Sequence, residues 1–340
     1  MRPKALIPAA GIGTRLKPFT FTKPKPMVYV AGKQIIGHIL DNLIGAVDEV
    51  FIVVGYLKET LMEYVDHNYS QHFKVTYIEQ EERKGLGHAV YQARELIGDA
   101  PLLITLGDEI FDMKYSEMIH TFNEDCEKKG FSGTLGVKIV DQPQSYGIVE
   151  LDENKAVRLL VEKPENPTSN LALAGVYLFR SGRELFRALE TIIEVRDQRT
   201  KGEYQLTDAI QIMVEEEHTL STFVIEKWYD CGRPGMLLNV NRLLLEKSGS
   251  NVQVELRNSV IIHPTIIGEN CQIENSVIGP NVSIARGTKV KGCVINNTII
   301  GTNSRLEHQI LSESIIGDEA VFEGSMQKMN IGENTRISFK

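Results

Sequence analysis

Leu6-Ile7-Pro8-Ala9-Ala10-Gly11-Ile12-Gly13-Thr14-Arg15-Leu16-Lys17-Pro18-Phe19-Thr20-Phe21-Thr22-Lys23-Pro24-Lys25 is the stretch around which the chain is organised. It opens apolar, continuing Ala5, as a buried strand does. It then turns glycine-rich at Gly11 and Gly13 and is followed by Arg15, Lys17, Lys23 and Lys25. A strand feeding a small-residue loop with cations behind it is suited to phosphate. Backbone N–H groups approach an anion closely where Cβ atoms are absent, and the cations neutralise the remaining charge.

Charge is distributed to match. Residues 1–40 hold seven Lys or Arg and no Asp or Glu, whereas the other 300 carry 30 basic against 45 acidic residues, for a net −8. A local basic segment on an acidic chain points to a local anion site and away from nucleic acid, which requires a broad basic face. Two rival phosphate motifs fail. The dinucleotide fingerprint needs a third glycine where Leu16 stands, and the G-x-x-x-x-G-K-[ST] loop is absent. Gly11 and Gly13 alone would suit an ordinary strand-to-helix turn; Thr14, Arg15, Pro18, Lys23 and Lys25 tilt the reading toward the anion site.

The 340 residues allow two domains, one of them large. Hydrophobic and charged fractions of 42% and 24% are those of a soluble globular protein. No run approaches 18 apolar residues, so no membrane span or membrane partner is expected, and Pro8 and Gly11 interrupt any signal-peptide core. Cys126, Cys231, Cys271 and Cys293 lack C-x-x-C spacing and read as reduced thiols of a cytoplasmic protein.

Downstream, residues 34–44 have helical apolar spacing and 50–54 read as a buried strand. A helix is expected over 57–66, a strand over 74–80, a helix over 85–97 and a buried strand over 102–106. Such alternation implies a parallel, doubly wound sheet, with ligands at the carboxyl ends of its strands. Gln80 to Ala89 falls on that side. Gly85 and Gly87 permit close backbone approach there, and Gln80 offers an acceptor and donors for a base edge, although a flexible loop would read the same. His88 reads as a helix-surface histidine. Gly107-Asp108-Glu109 closes a buried strand at the ligand edge, where a carboxylate can hold Mg²⁺ together with phosphate oxygens and water; Gly-Asp is also ordinary turn chemistry. Residues 131–180 are strand-rich. Thr207 and Asp208 suit the start of a helix, Thr222 to Ile225 reads as a strand, and a helix is expected over 234–245. Trp228, the only tryptophan, suits core packing and a pocket wall equally.

Pro8 to Pro18, with Thr20 and Lys23-Pro24-Lys25-Pro26-Met27, resembles the signature of the sugar-1-phosphate nucleotidyltransferases, which make NDP-sugars from an NTP and a sugar 1-phosphate. Many members carry Gly-Gly where this chain has Ala10-Gly11, the form found in UTP–glucose-1-phosphate uridylyltransferases. The resemblance implies a doubly wound, Rossmann-like mixed sheet over residues 1–247. It also implies that Ala10, Gly11, Gly13, Thr14, Gln80 and Gly85 bind the nucleotide, the last two by reading a pyrimidine. Lys84-Gly85-Leu86-Gly87-His88-Ala89 looks particularly like the uridylyltransferases. In the implied roles, Arg15 holds the departing pyrophosphate, Lys25 the α-phosphate and Lys163 the sugar phosphate. Asp108, together with Asp230 of a Trp228-Tyr229-Asp230-Cys231-Gly232 match, binds Mg²⁺. Ser145 to Glu150, Val161 to Pro164 and Ala174 to Tyr177 match segments lining the sugar-phosphate pocket, implicating Tyr146, Gly147, Glu162, Lys163 and Val176. Glu109 departs from thymidylyltransferases, which often carry Asn there, and leaves dTTP and UTP both open.

Ser248-Gly249-Ser250 reads as a linker, and beyond it the composition changes. Ile267-Gly268-Glu269-Asn270, Ile278-Gly279-Pro280-Asn281, Ile300-Gly301-Thr302-Asn303 and Ile331-Gly332-Glu333-Asn334 repeat one theme, and Ile316-Gly317-Asp318-Glu319 varies it. Between them Ile273, Ile278, Ile284, Val290, Ile295, Ile300, Leu306, Leu311 and Ile316 recur every five or six positions. That is the hexapeptide pattern of a β-helix, and it resembles the left-handed β-helix some nucleotidyltransferases carry. A β-helix over 251–340 is expected to serve homo-oligomerisation. The expected activity is Mg²⁺-dependent transfer from dTTP or UTP to a hexose 1-phosphate, glucose 1-phosphate first. The alternatives are a bifunctional enzyme whose β-helix transfers an acyl group, or a non-catalytic NDP-sugar-binding subunit. The presence of Arg15, Lys25, Asp108, Lys163 and Asp230 together weighs against the last.

Overall fold

The computed structural model describes residues 2–252 and 254–324, so Ile331-Gly332-Glu333-Asn334 lies outside the described residues. In chain order the first part comprises β1 (Lys4–Pro8), β2 (Tyr29–Val30), β3 (Lys33–Gln34), α1 (Ile35–Leu43), β4 (Glu49–Val54), α2 (Lys58–Tyr69), β5 (Lys74–Glu79), α3 (Leu86–Tyr91), α4 (Arg94–Ile97), β6 (Leu102–Thr105) and β7 (Glu109–Phe111). It continues with α5 (Tyr115–Lys129), β8 (Gly133–Ile139), β9 (Gly147–Leu151), β10 (Val157–Glu162), β11 (Leu171–Phe179), α6 (Gly182–Glu190), α7 (Leu206–Glu215), β12 (Leu220–Val224), β13 (Trp228–Asp230) and α8 (Pro234–Ser248).

The main sheet runs β10-β9-β11-β6-β1-β4-β5, with β8 joining β11 and β12 joining β8. Strands β6, β1, β4 and β5 are parallel, and β11 enters antiparallel to β6, giving the mixed sheet. Ala5, Leu6 and Ile7 of β1, Val50 to Val54 of β4 and Leu102 to Ile104 of β6 are all buried. These unbroken apolar runs belong to strands covered on both faces, as a doubly wound parallel core requires. The helix expected over 85–97 is two short helices, α3 and α4, broken at Gln92 and Ala93. The expected capping at Thr207 also does not occur. α7 begins after Gln205 without a side-chain cap, with Asp208 in its first turn as expected, and Thr207 turns its hydroxyl to Glu162 instead.

The chain divides into two compact units, Met1–Val28 with Lys33–Leu237, and Tyr29–Gly32 with Leu238–Lys340. The division falls within α8, whose Asn241 bonds to residues of the repeats: Ser283 Oγ donates to Asn241 Oδ1 at 2.6 Å, and Asn241 Nδ2 donates to Asn281 O. The second unit stacks short parallel strands in three sheets, forming a left-handed β-helix. One coil carries Ile267 to Ile284, the next to Ile300 and the next to Ile316. All nine aliphatic positions of the hexapeptide pattern form its core or pack against it. The corners are turned by residues with positive φ, among them Asn258, Asn275, Asn281, Asn297, Asn303 and Gly279; Asn and Gly tolerate that region best. The four cysteines are free and buried. Among the described residues, no helix is long and apolar enough to cross a membrane.

Candidate active site

The ends of β1, β5 and β6 open onto a cavity of about 440 Å³. Its walls include Ala10 to Thr14, Lys25, Gln80, Arg83, Gly85, Gly107, Asp108 and Glu203. The glycine loop after β1 is shaped by contacts its sequence permits. Gly13 has φ +68°, and a Cβ there would lie 2.8 Å from the Lys25 side chain. Buried Thr20 donates its hydroxyl to Gly13 O at 2.9 Å, tying the far end of the loop to its turn. Gly11 differs: a Cβ would meet no protein atom within 4 Å and would project into open space. What its bareness preserves is room for a ligand. Gly107 lets the end of β6 close on β1, its N–H donating to Pro8 O at 3.2 Å.

The acidic side is assembled by β7 and β13, which pair antiparallel with Asp230 opposite Glu109. Cys231 N–H donates to Asp108 O at 3.2 Å, so Asp108 and Asp230, far apart in sequence, are brought together. Lys25 Nζ is ion-paired with Asp108 Oδ2, and Gly232 N–H donates to Asp230 Oδ1 at 2.6 Å. Glu109 lies beside them, half-buried, with its Oε2 out of reach of solvent. Burial, with Asp108 and Asp230 adding like charge, raises its pKa well above the carboxylate range; Lys25 opposes the shift. Glu109 Oε2 and Trp228 Nε1 are buried without hydrogen-bond partners among the described residues. The indole is near enough to favour the Glu109 anion a little without completing a bond. Trp228 packs edge-on against Tyr146, with ring centroids 5.1 Å apart. Burial first, then Asp230 and Glu109, raise the Tyr146 pKa, while Arg233 and Arg15 lower it. Arg15 and Asp230 therefore both act at Tyr146. Arg15 itself is exposed and outside the cavity wall.

A third cluster lies on β9 and β10. Gly147 pairs with Glu162, and a Cβ on Gly147 would crowd Glu162 Oε2 and Thr207 Oγ1, each at 3.0 Å. Glu162 accepts from Thr207 Oγ1 at 2.7 Å and pairs with Lys163 Nζ at 2.9 Å. Lys163 has φ +44°, an uncommon conformation for a non-glycine residue, held by its N–H on Tyr146 O and its carbonyl on Lys201 Nζ. Val176 is fully buried in β11, paired with Thr105 of β6, so its side chain belongs to the core and does not line the cavity.

Of the residues marked from sequence, the cavity brings together Ala10, Gly11, Gly13, Thr14, Lys25, Gln80, Gly85 and Asp108. Asp230 adjoins them through Gly232, whose added Cβ would lie 3.2 Å from Lys25 Nζ. Tyr146, Gly147, Glu162 and Lys163 form the separate cluster. Sequence reasoning missed three contributors. Arg83 lines the cavity with its guanidinium 5.7 Å from the Tyr56 ring centre, but in sequence it stands among Glu81, Glu82 and Lys84 and looks solvated. Thr207 and the buried Oε2 of Glu109 had no signal beyond residue type.

The donor set suits a hard cation. Asp108 and Asp230 offer carboxylate oxygens. Burial raises the Cys231 thiol well above its usual range, so it supplies no thiolate. Among the described residues no three His, Cys, Asp or Glu side chains converge on one point to hold a metal. A cation here would complete its shell with phosphate oxygens and water, as Mg²⁺ does in nucleotide sites.

A nucleotidyl transferase family model matches residues 4–247, and a GlmU-like C-terminal hexapeptide model matches 247–305. The chain is 35% identical over 265 residues to the bifunctional protein GlmU of Methanocaldococcus jannaschii, covering 78% of this chain and 60% of that one. It thus spans about three fifths of the GlmU relatives it matches. It is 31% identical to a glucose-1-phosphate thymidylyltransferase of Streptomyces antibioticus over 98% of this chain and 93% of the relative. A UDP-glucose pyrophosphorylase structure in complex with UDP-glucose superposes with a TM-score of 0.64 at 26% identity, covering 73% of this chain and all of that one. On the extent of these matches, this chain belongs to the nucleotidyl transferase family and carries a GlmU-like hexapeptide segment.

Proposed function

We propose that the protein joins a pyrimidine nucleotide, UTP or dTTP, to a hexose 1-phosphate, glucose 1-phosphate first among candidates, releasing pyrophosphate. The observation that carries this reading is the single cavity in which the basic glycine loop and Lys25 face Asp108, with Asp230 alongside. A sugar-phosphate oxygen attacks the α-phosphorus in line as the bond to the pyrophosphate oxygen breaks. The nucleophile is already anionic, so no general base is needed, and catalysis rests on positioning and charge neutralisation.

In this reading the N–H groups of residues 11–14 cradle the phosphates, Arg15 holds the departing pyrophosphate and Lys25 the α-phosphate. Gln80 and Gly85 take the base. Lys163 binds the sugar phosphate, Glu162 accepts from sugar hydroxyls, and Tyr146 and Gly147 complete that pocket. Asp108 and Asp230 would hold Mg²⁺, which when bound neutralises phosphate charge. Lys25 is ion-paired with Asp108, so the cation assigned to the α-phosphate and the carboxylate assigned to Mg²⁺ stand in direct reach of each other. The β-helix would carry the homo-oligomer contact. Val260, Val277, Val294 and Ile310 stack on the outside of one of its sheets, and Val260, Val294 and Ile310 are well exposed. A cytoplasmic setting is consistent with four free cysteines.

Pyrophosphate release from a panel of NTPs against a panel of sugar 1-phosphates tests the reading. Activity with UTP or dTTP and a hexose 1-phosphate is expected, and none with any pair overturns it. A second reading, an added acyl transfer by the β-helix, is favoured by the GlmU-like match over 247–305. It requires CoA thioester consumption with an amino-sugar phosphate, measured in the same preparation.

A further inference from the structure

The Gln80 side chain is held in one orientation by two neighbours. Its Nε2 donates to Gly85 O at 3.3 Å and lies 3.0 Å from His88 Nδ1. A backbone carbonyl can only accept, so the Gly85 contact fixes which end of the amide is nitrogen. The second amide hydrogen then points at His88 Nδ1, which must be the unprotonated ring nitrogen. Gln92 Nε2 lies 3.1 Å from His88 Nε2; with Nδ1 accepting from Gln80, the neutral ring carries its proton on Nε2, and the Gln92 amide, turned end for end, would present its oxygen to accept it. The imidazole is further held by stacking on Tyr204. Both Gln80 donors are thus consumed, and its carbonyl oxygen is the one side-chain polar atom left for a ligand in the cavity that Gln80 lines.

We propose that His88 is a positioning residue that locks the Gln80 carbonyl toward the nucleotide, so that the site favours bases with a ring N–H, uracil or thymine, over cytosine, whose ring nitrogen at that edge is an acceptor. The inference rests on the nucleotide reading above and adds the means by which the base is selected. Protonated His88 would present two donors, clash with the Gln80 amide and release the lock. The groups facing it are Lys84 and Glu82 from the loop, Gln92 on its own helix and Tyr204, over whose ring Arg199 lies. Burial, followed by Lys84, holds the imidazole below its ordinary pKa against the opposing pull of Glu82, so it is neutral near pH 7.

The test is calorimetric titration of the full chain with Mg²⁺ present, using UTP, CTP and inorganic tripolyphosphate. His88→Leu removes the acceptor, while His88→Asn keeps one near the Nδ1 position. His88→Leu should lower the UTP-over-CTP preference on the order of 10-fold, the worth of one oriented polar contact to a base, with tripolyphosphate affinity unchanged; His88→Asn should retain the preference. As pH falls from 7.5 to 5.5, UTP affinity should weaken more in the wild type than in His88→Asn, since phosphate titration is common to both. An unchanged preference in His88→Leu, or equal loss of tripolyphosphate affinity, overturns the inference alone. A wild type that binds neither nucleotide overturns the nucleotide reading and this inference with it.

Discussion

The two units use their residues in opposite ways. In the β-helix the coils repeat one plan: an aliphatic points inward from each sheet, Asn or Gly turns most corners with His308, Glu313 and Glu319 taking the same backbone in the last described coil, and Ile278 and Ile295 do the same work one level apart. In the first unit the residues at the cavity do different work. Gly13 shapes a turn, Gly11 leaves room, Lys25 meets Asp108, and Glu109 is held beside like charges. A periodic region spreads its stability over equivalent positions, whereas a site concentrates unfavourable features, buried acids and strained backbone, at positions with no substitute.

That contrast can be broken most forcefully at the acidic pair. Asp108→Ala or Asp230→Ala should lower pyrophosphate release by on the order of 10²–10³-fold. Chelation with EDTA should abolish it and Mg²⁺ restore it, as read by steady-state assay. A near wild-type rate in either variant would remove the site's special status. In the β-helix the effect should be on stability. Ile295→Ala, at a fully buried position, should cost about 2–5 kcal/mol in denaturant unfolding, and Ile278→Ala should cost a similar amount because the two positions are equivalent. Unequal costs would contradict the periodic account. Gly85→Ala sharpens the comparison from the other side. Its φ is +108° and a Cβ would fall 2.6 Å from Tyr204 O, so about 1–3 kcal/mol of strain should appear chiefly as weaker nucleotide binding. The smallest effect is at a corner. Asn297, at φ +40°, accepts from Asn281 Nδ2 at 2.9 Å. Asn297→Ala should cost about 1 kcal/mol, seen as a modest shift in thermal midpoint.

The β-helix was legible from spacing alone, because its inward face repeats within reach of a short window. The parallel core was equally legible in the apolar runs of β1, β4 and β6. The glycine loop and its cations could be read as an anion site, and a family signature was needed to give each residue a role. What the local pattern did not disclose, and only the family resemblance supplied in part, depends on long-range pairing. β7 and β13 bring Asp230 beside Asp108, β9 and β10 set Gly147 against Glu162, and α7 delivers Thr207 to Glu162 where local pattern suggested a cap. His88 looked like a surface histidine because its partner Gln80 lies across a turn on a different element. The break between α3 and α4 left no mark in the apolar spacing either.

The central claim is that the basic loop and the acidic strand ends act on one nucleotide as a unit, and a double-mutant cycle of Lys25→Ala and Asp108→Ala on pyrophosphate release tests it most directly. The account predicts a large loss from each single change and little further loss from the pair, the non-additivity of groups that act together. Losses that multiply independently, or a Lys25→Ala enzyme as fast as the wild type, would contradict it.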